Sequence, residues 1–251
     1  MIKKISKLTN GRYKIELDEL ESLILYEDVI LNNNILYKKD LTLEQIKNLN
    51  KENEYYELYN KALKYVLTKM RSIYEVDNYL TKLEVKEKTK KEIINKLKDI
   101  NLLNDKVYAN AFISDKIHLS NDGPLKIKKD LLNKQVDESI IDEELSKYDL
   151  DIFEEKIKKI ISKRKNNKYS NYVFKQKMLG YFVNLGYDSN FVIPLLENVE
   201  SDTTELIQKE YNTLYRKLSK KYSDKKLDYE IKSRLYKKGF SMDEINAIIK
   251  E

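Results

Sequence analysis

Polar and apolar residues alternate with a period of two near the start of the chain, which is typical of half-buried strands. Arg12 to Leu17 shows this alternation, and Leu23 to Leu25 is a second short apolar run. Between the first apolar residues and Arg12, the sequence Thr9-Asn10-Gly11 is of the hairpin-turn type. The pattern therefore predicts a small module containing strands over residues 1–50.

Two helix signals follow the predicted strands. Glu27 to Leu31 has the pattern of one helical turn. Thr42 stands where an N-cap is expected, and Gln45 follows three residues later, as in a capping box. We expect Thr42 to begin a short helix at the end of this module.

From Tyr55 onward the apolar residues recur at helical spacing. The first stripe consists of Tyr55, Leu58, Tyr59, Ala62, Leu63, Tyr65, Val66 and Met70. Ser72 then stands at a second N-cap position, with Glu75 at the matching capping-box position. The spacing of apolar residues in the remainder of the chain predicts a succession of further helices.

A short pattern recurs at a period of roughly 50 residues, which is the range expected of helical repeats. Each copy has an apolar helix end, then Gln135, Gly186 or Gly239, then one apolar residue and an Asp or Ser. Glycine and glutamine at that place suit a positive φ, and the Asp or Ser can cap the next helix. The pattern predicts a mainly α protein built as an array of tandem three-helix repeats. The predicted repeats cover residues 51–104, 105–150, 151–200 and 201–251.

The pair Gly123-Pro124 predicts a turn that opens a helix. Proline fixes φ at the first helical position, where its missing N–H has no partner to lose. Asn121 or Asp122 can accept the unpaired amide protons at that helix start. This helix would present Lys126, Lys128 and Lys129, which follow Pro124 in the sequence.

Composition excludes several chemistries. The chain of 251 residues has no cysteine and one histidine, His118, which follows a predicted helix, so a thiolate nucleophile and a His–His metal pair are excluded. No segment is apolar enough to span a bilayer, and the N-terminus lacks a signal-peptide core. We therefore expect a soluble cytoplasmic protein that is not an enzyme and needs no metal or cofactor.

Basic residues are the candidates for function, since 48 Lys and Arg against 42 Asp and Glu give a net charge of +6. The segment from Lys156 to Lys177 contains no acidic residue. The apolar stripe of its first helix predicts that Lys156, Lys159 and Lys163 share a solvent-facing side. The candidate partner-binding residues are Lys69, Arg71, Lys126, Lys128, Lys129, Lys156, Lys159, Lys163, Arg164, Lys175 and Lys177.

Two alternatives stay open for these cations. The lysines could face phosphates or an acidic partner, or they could serve solubility alone. Lys69 and Arg71 could bind a partner carboxylate or cap a neighbouring helix end.

Three segments, in order, resemble the RecX family of bacterial RecA regulators. Lys69 to Ser72 with Glu75 and Tyr79-Leu80 is similar to its R-x-R-S…E…Y-L pattern, although lysine replaces the first arginine. Leu102 to Asp105, with Tyr108-Ala109 and Phe112, is similar to its G-L-[IL]-[DN]-D…[FY]-A…[FY] segment. The third segment comprises Gly123-Pro124, Ile127, Leu131 and Leu132 to Val136, with Gln135 in place of the family's glycine. The resemblance covers most of the chain, and the N-terminal module and the final unit, Asp202 to Ile249, are similar to the longer Gram-positive members.

The resemblance implies a curved array of three-helix repeats that lodges in the groove of the RecA–DNA filament. It implies inhibition of the ATPase, strand-exchange and coprotease activities of RecA, and so modulation of recombination, DNA repair and the SOS response. Direct binding of single- or double-stranded DNA is a further implied property, and we expect a monomer with no membrane partner. The alternative is a sequence-nonspecific DNA-binding helical-repeat protein without a RecA role.

Overall fold

The computed structural model describes residues 1–8, 11–18, 21–164, 166 and 168–249. The hairpin turn predicted at Thr9-Asn10-Gly11 lies largely outside these residues. Gly11 itself has a φ of +68°, the left-handed region that glycine adopts at little cost.

The N-terminal strands form one antiparallel sheet in the order β1-β2-β3. The strands are β1 (Ile2–Lys7), β2 (Arg12–Leu17) and β3 (Leu23–Tyr26). Ile15 in the central strand pairs with Ile5 and Leu23 and is fully buried. The alternation in the sequence is therefore a strand with one buried face, as predicted.

The helix that begins after Thr42 is long. Helix α1 (Glu27–Asn32) and a 3₁₀ turn (Ile35–Tyr37) precede α2 (Leu43–Thr68), which has 26 residues. Thr42 and Gln45 form the predicted capping box, but the prediction of a short helix is wrong. Buried Leu49 lies seven residues before buried Tyr56, so one apolar stripe runs through residues 50 and 51, where the sequence placed a module boundary.

The rest of the described chain is helical, which confirms the predicted fold class. The helices are α3 (Ile73–Lys82), α4 (Glu87–Asp99), α5 (Asp105–Leu119), α6 (Pro124–Leu132), α7 (Glu138–Leu145), α8 (Leu150–Lys163), α9 (Asn171–Asn184), α10 (Ser189–Glu197), α11 (Thr204–Leu218), α12 (Asp224–Lys237) and α13 (Met242–Ile249). From α2 onward they follow one another as four groups of three. The residue ranges of the predicted repeats remain a prediction.

The chain forms two compact units. The first comprises Met1–Ala109 together with Lys134–Asp137, and the second comprises Asn110–Asn133 and the chain from Glu138 onward. In the first unit the sheet, α2, α3 and α4 enclose one apolar core. In the second unit α11, α12 and α13 enclose a further core around Ile231.

In the first unit, the start of α3 contacts a distant turn. The hydroxyl of Ser72 accepts the N–H of Glu75 at 3.2 Å, which completes the predicted capping box. The same hydroxyl donates to the carbonyl of Lys134 at 3.2 Å. Gln135, which follows, has a φ of +53°, as the sequence predicted. One serine therefore both caps a helix and fixes a left-handed turn.

The second unit contains two contacts of the same kind. The N–H of Gly123 donates to the carbonyl of Leu185 at 2.7 Å, just before Gly186 with its φ of +85°. The hydroxyl of Ser170 donates to the carbonyl of Lys238 at 2.9 Å, just before Gly239 with its φ of +84°. In all three cases, the start of the second helix of a group contacts the carbonyl that precedes a left-handed residue. We call these contacts the joints.

The joint at Gly123 corrects one expectation. Neither Asn121 nor Asp122 caps α6, because the N-cap residue is Gly123 and it has no side-chain bond. An N–H in the first turn, that of Leu125, donates instead to the carbonyl of Gly186 at 3.0 Å. Two backbone bonds of the joint thus take the place of a side-chain cap.

Candidate functional site

The basic segment extends over α8, the connection that follows it, and α9. Helix α8 buries Phe153 and Ile157, and α9 buries Phe174, Met178 and Phe182. Because both helices bury one stripe, their remaining side chains are free to face solvent.

Four of the candidate cations in this segment are exposed. Lys159 and Lys163 are exposed and stand one turn apart on α8. The guanidinium of Arg164 lies 3.8 Å from the ring centroid of Tyr181, and Lys177 Nζ lies 4.7 Å from that of Tyr169. Lys177 and Tyr181 are themselves one turn apart on α9. We call Lys159, Lys163, Arg164 and Lys177 the basic surface.

Lys156 does not share the solvent-facing side that the sequence predicted. It donates to the carbonyl of Ser120 at 3.0 Å and is half-buried, and burial lowers its pKa. The reason is its place on α8, three residues after Phe153 and directly before Ile157, which is beside the buried stripe and not opposite to it. Lys156 is therefore held within its own unit.

Lys175 also binds its own unit. Its ammonium group donates to the carbonyl of Glu197 at 2.6 Å. Glu197 is the last residue of α10, where unpaired carbonyls and the helix dipole favour a cation. This contact satisfies a helix end and leaves the ammonium less available to a partner.

The lysines that follow Pro124 are largely neutralised. Lys126 Nζ lies 2.7 Å from Asp122 Oδ1. Lys128 Nζ lies 2.6 Å from Asp142 Oδ1 and 2.8 Å from a Glu138 oxygen, and these bonds raise its pKa. Lys129 is exposed. The structure does not join these three lysines into a free cationic patch.

Asp122 is a buried carboxylate whose role the sequence did not indicate. Lys116 and Lys126 each approach it to 2.7 Å. Burial by itself would raise the pKa of Asp122, but the hydrogen bonds from the two lysines outweigh it, and the pKa lies below its usual value. The folded state therefore favours the ionised carboxylate.

Replacing Asp122 by asparagine should lower the free energy of unfolding at pH 7 by about 2 kcal/mol, because two charge-assisted hydrogen bonds are lost. A carboxyl whose pKa is lowered by folding stabilises the protein above its unfolded-state pKa, and this contribution disappears as the pH falls through the folded-state pKa. Urea titrations should therefore show the difference between wild type and D122N shrinking from about pH 5 to pH 2.

The matched control is Asp130→Asn. Asp130 lies 3.2 Å from the same Lys116 but is one-third exposed, so its loss should change the free energy of unfolding by less than about 1 kcal/mol. A pH-independent difference between wild type and D122N would show that the charge of Asp122 does not stabilise the fold.

In the first unit, the two candidate cations Lys69 and Arg71 have different surroundings. Lys69 follows α2 and is exposed. The Arg71 guanidinium lies 4.2 Å from the ring centroid of Tyr65, which stacks on Tyr79 at 4.3 Å. Arg71 Nη1 also lies 3.7 Å from a Glu75 oxygen. Arg71 thus stabilises the contact between α2 and α3, and Lys69 is the cation that remains at the surface.

Other chemistries find no support in the part of the chain that the structure describes. His118 lies in the last turn of α5, not after it, and its Nδ1 contacts the Ser114 carbonyl at 2.7 Å. Among the described residues, no cluster of three or more His, Asp or Glu side chains could hold a metal ion. None of the described helices combines the length and apolar character that crossing a membrane requires.

Comparison with known proteins identifies the family. Residues 104–145 match the family model described as RecX, second three-helix domain. The regulatory protein RecX of Streptococcus agalactiae serotype III (strain NEM316) is 30% identical over 255 residues, which cover 99% of this chain and 99% of that protein. The chain belongs to the RecX family. The resemblance of its three segments is thereby confirmed.

A further relative supports the family, and a solved structure supports the fold. Regulatory protein RecX of Lactococcus lactis subsp. lactis (strain IL1403) is 31% identical over 100% of this chain and 96% of its own length. A solved structure described as regulatory protein RecX covers 76% of this chain and 95% of its own, with a TM-score of 0.63 and 24% identity, so it supports the fold. The named relatives are regulatory proteins, which supports a regulatory role for this member of the family.

Proposed function

We propose that this RecX-family chain is a negative regulator that binds the RecA–DNA filament. In this proposal it inhibits the ATPase, strand-exchange and coprotease activities of RecA, and so modulates recombination, DNA repair and the SOS response. RecA is the partner implied by the family patterns in the sequence. We further infer that the chain acts in the cytoplasm as a monomer, without catalysis or cofactor.

The observation that carries the proposal is the basic surface, because its cations remain outside the internal ion pairs that hold Lys126 and Lys128. Lys159 and Lys163 are exposed, and the segment from Lys156 to Lys177 contains no acidic residue. A filament of protein and DNA offers repeated acidic groups and phosphates. Several weak contacts on one chain then act together, which raises the overall affinity far above that of any single contact.

An assay with RecA from the source organism of this chain tests the proposal. At near-equal amounts of the two proteins, we expect slower ATP hydrolysis on single-stranded DNA and less strand exchange. An unrelated helical protein of the same net charge serves as the control for nonspecific competition. If both activities of RecA are unchanged, the proposed function is wrong.

An exposed tyrosine beside the basic surface favours a second candidate, direct binding of DNA without RecA. Tyr169 is 40% exposed and its ring lies 4.7 Å from Lys177 Nζ, and such a ring can stack on a base of single-stranded DNA. A salt titration separates the two functions. Binding of DNA alone that weakens steeply with salt, together with unchanged RecA activity, would favour the second candidate.

A further inference from the structure

A cavity of about 590 Å³ lies within the second unit, beside the joint between Ser170 and Lys238. It is bordered by the first turn of α9, the segment after α10, the end of α12 and the start of α13. Its volume falls in the range of pockets that bind small ligands. The basic surface contributes none of the described residues that line it.

Two exposed tyrosine rings line this cavity. Tyr172 is 63% exposed and Tyr236 is 62% exposed, although both rings are large and partly apolar. Their hydroxyl groups can remain in water while their faces stay accessible. Exposed aromatic faces of this kind attract cations and planar groups.

Two carboxylates, Glu200 and Glu244, also line the cavity. Glu244 is held in place, because it accepts the hydroxyl proton of Thr203 at 2.6 Å and the N–H of Ser241 at 2.7 Å. None of the described lining residues is basic, whereas the chain as a whole has a net charge of +6. The cavity is thus a local acidic and aromatic site on a basic protein.

We propose that this cavity binds an arginine side chain presented by a partner protein. A guanidinium is planar, stacks on aromatic faces and forms directional hydrogen bonds with carboxylates. It can therefore contact the tyrosine rings and the carboxylates of this cavity at the same time. The two carboxylates repel phosphate groups, which favours a cationic protein side chain over nucleic acid as the occupant. The inference goes beyond the proposed function, since it concerns a second surface of opposite charge and does not depend on the identity of the regulated protein.

Nuclear magnetic resonance of the full-length chain with ¹³C-labelled tyrosine rings tests the proposal. The probe is the capped tripeptide acetyl-Gly-Arg-Gly-amide, and the variants Tyr172→Phe and Tyr236→Phe assign the two ring signals. We expect both signals to shift on titration, with a dissociation constant in the millimolar range, as suits a single side chain. The same tripeptide with norleucine in place of arginine should leave both signals unchanged.

Variants then separate the cavity from the rest of the surface. Combining Tyr172→Ala with Tyr236→Ala should weaken binding of the arginine tripeptide by about tenfold or more. Glu200→Gln should weaken it less, because one carboxylate remains. Tyr229→Ala is the matched control, since that ring is 70% exposed on the same helix α12 and does not line the cavity.

Three results would overturn the proposal. The first is an arginine tripeptide that shifts neither ring signal. The second is a lysine or norleucine tripeptide that binds as tightly as the arginine one. The third is that the variant combining Tyr172→Ala with Tyr236→Ala binds the arginine tripeptide as tightly as wild type and as the Tyr229→Ala control.

Discussion

Replacing Gly186 by alanine should lower the free energy of unfolding by about 2–5 kcal/mol. A residue with a side chain loses about 1–2 kcal/mol in the left-handed region, where Gly186 has its φ of +85°. Overpacking at a tight contact adds about 1–3 kcal/mol. For a chain of this size, the combined loss should lower the melting temperature measured by circular dichroism by about 10 °C.

The steric part of this effect arises from the joint. A Cβ on Gly186 would lie 2.4 Å from both the backbone nitrogen and the Cβ of Lys126. These atoms belong to the first turn of α6, which is tied to the same turn by the Gly123–Leu185 and Leu125–Gly186 backbone bonds. The start of α6 cannot move away without breaking those bonds, so a small shift of the backbone cannot relieve the steric clash.

Gly180→Ala is the matched control. Gly180 lies within α9, and no atom would approach its added Cβ within 4 Å. Alanine has the higher helix propensity, so this variant should be more stable than wild type by about 0.5–1 kcal/mol. If Gly186→Ala melts at the same temperature as Gly180→Ala, the joint does not constrain the turn.

The left-handed turns were predictable, but their partners were not. Gln135, Gly186 and Gly239 each stand between an apolar helix end and a capping residue, a local pattern that already indicates a positive φ. The joint contacts join residues far apart in sequence: Ser72 and Lys134 are separated by 62 positions. No local periodicity encodes such a pairing, which depends on how the helices pack.

Errors in the helix predictions have a related cause. The sequence predicted a short helix after Thr42 and a separate helical stripe from Tyr55, yet no proline or glycine stands between Leu49 and Tyr56 to stop a helix. In the folded chain Leu49 is buried on the same stripe as Tyr56, so tertiary packing supports a helix that the local composition left ambiguous.

The sequence was sufficient to predict where the basic residues lie along the chain, but not which of their side chains are exposed. The sequence locates the basic segment, but only the fold separates Lys156, held by the Ser120 carbonyl, from exposed Lys159 and Lys163. One local signal was available, because Lys177 and Tyr181 are four residues apart on a helix and must lie on one side. The contact of the Arg164 guanidinium with the Tyr181 ring depends on how α8 and α9 pack together, which no local pattern predicts.

Reversing three charges of the basic surface should weaken the proposed inhibition of RecA by at least about tenfold, measured as the concentration that halves its ATPase rate. The variant carries Lys159→Glu, Lys163→Glu and Lys177→Glu. All three side chains are exposed, so their reversal should leave the fold intact while it replaces attraction by repulsion at an acidic partner. Lys156 and Arg164 stay unchanged, because both pack against their own unit.

A second triple variant with the same change of charge provides the control. Lys209, Lys220 and Lys225 are also exposed, and they lie in and beside α11 and α12, outside the basic surface. If inhibition depended only on net charge, both variants would lose it equally. We expect the control to inhibit RecA within about twofold of wild type, since long-range attraction is screened beyond roughly 10 Å at moderate salt. Equal inhibition by both variants at the wild-type level would instead mean that RecA contacts this chain elsewhere.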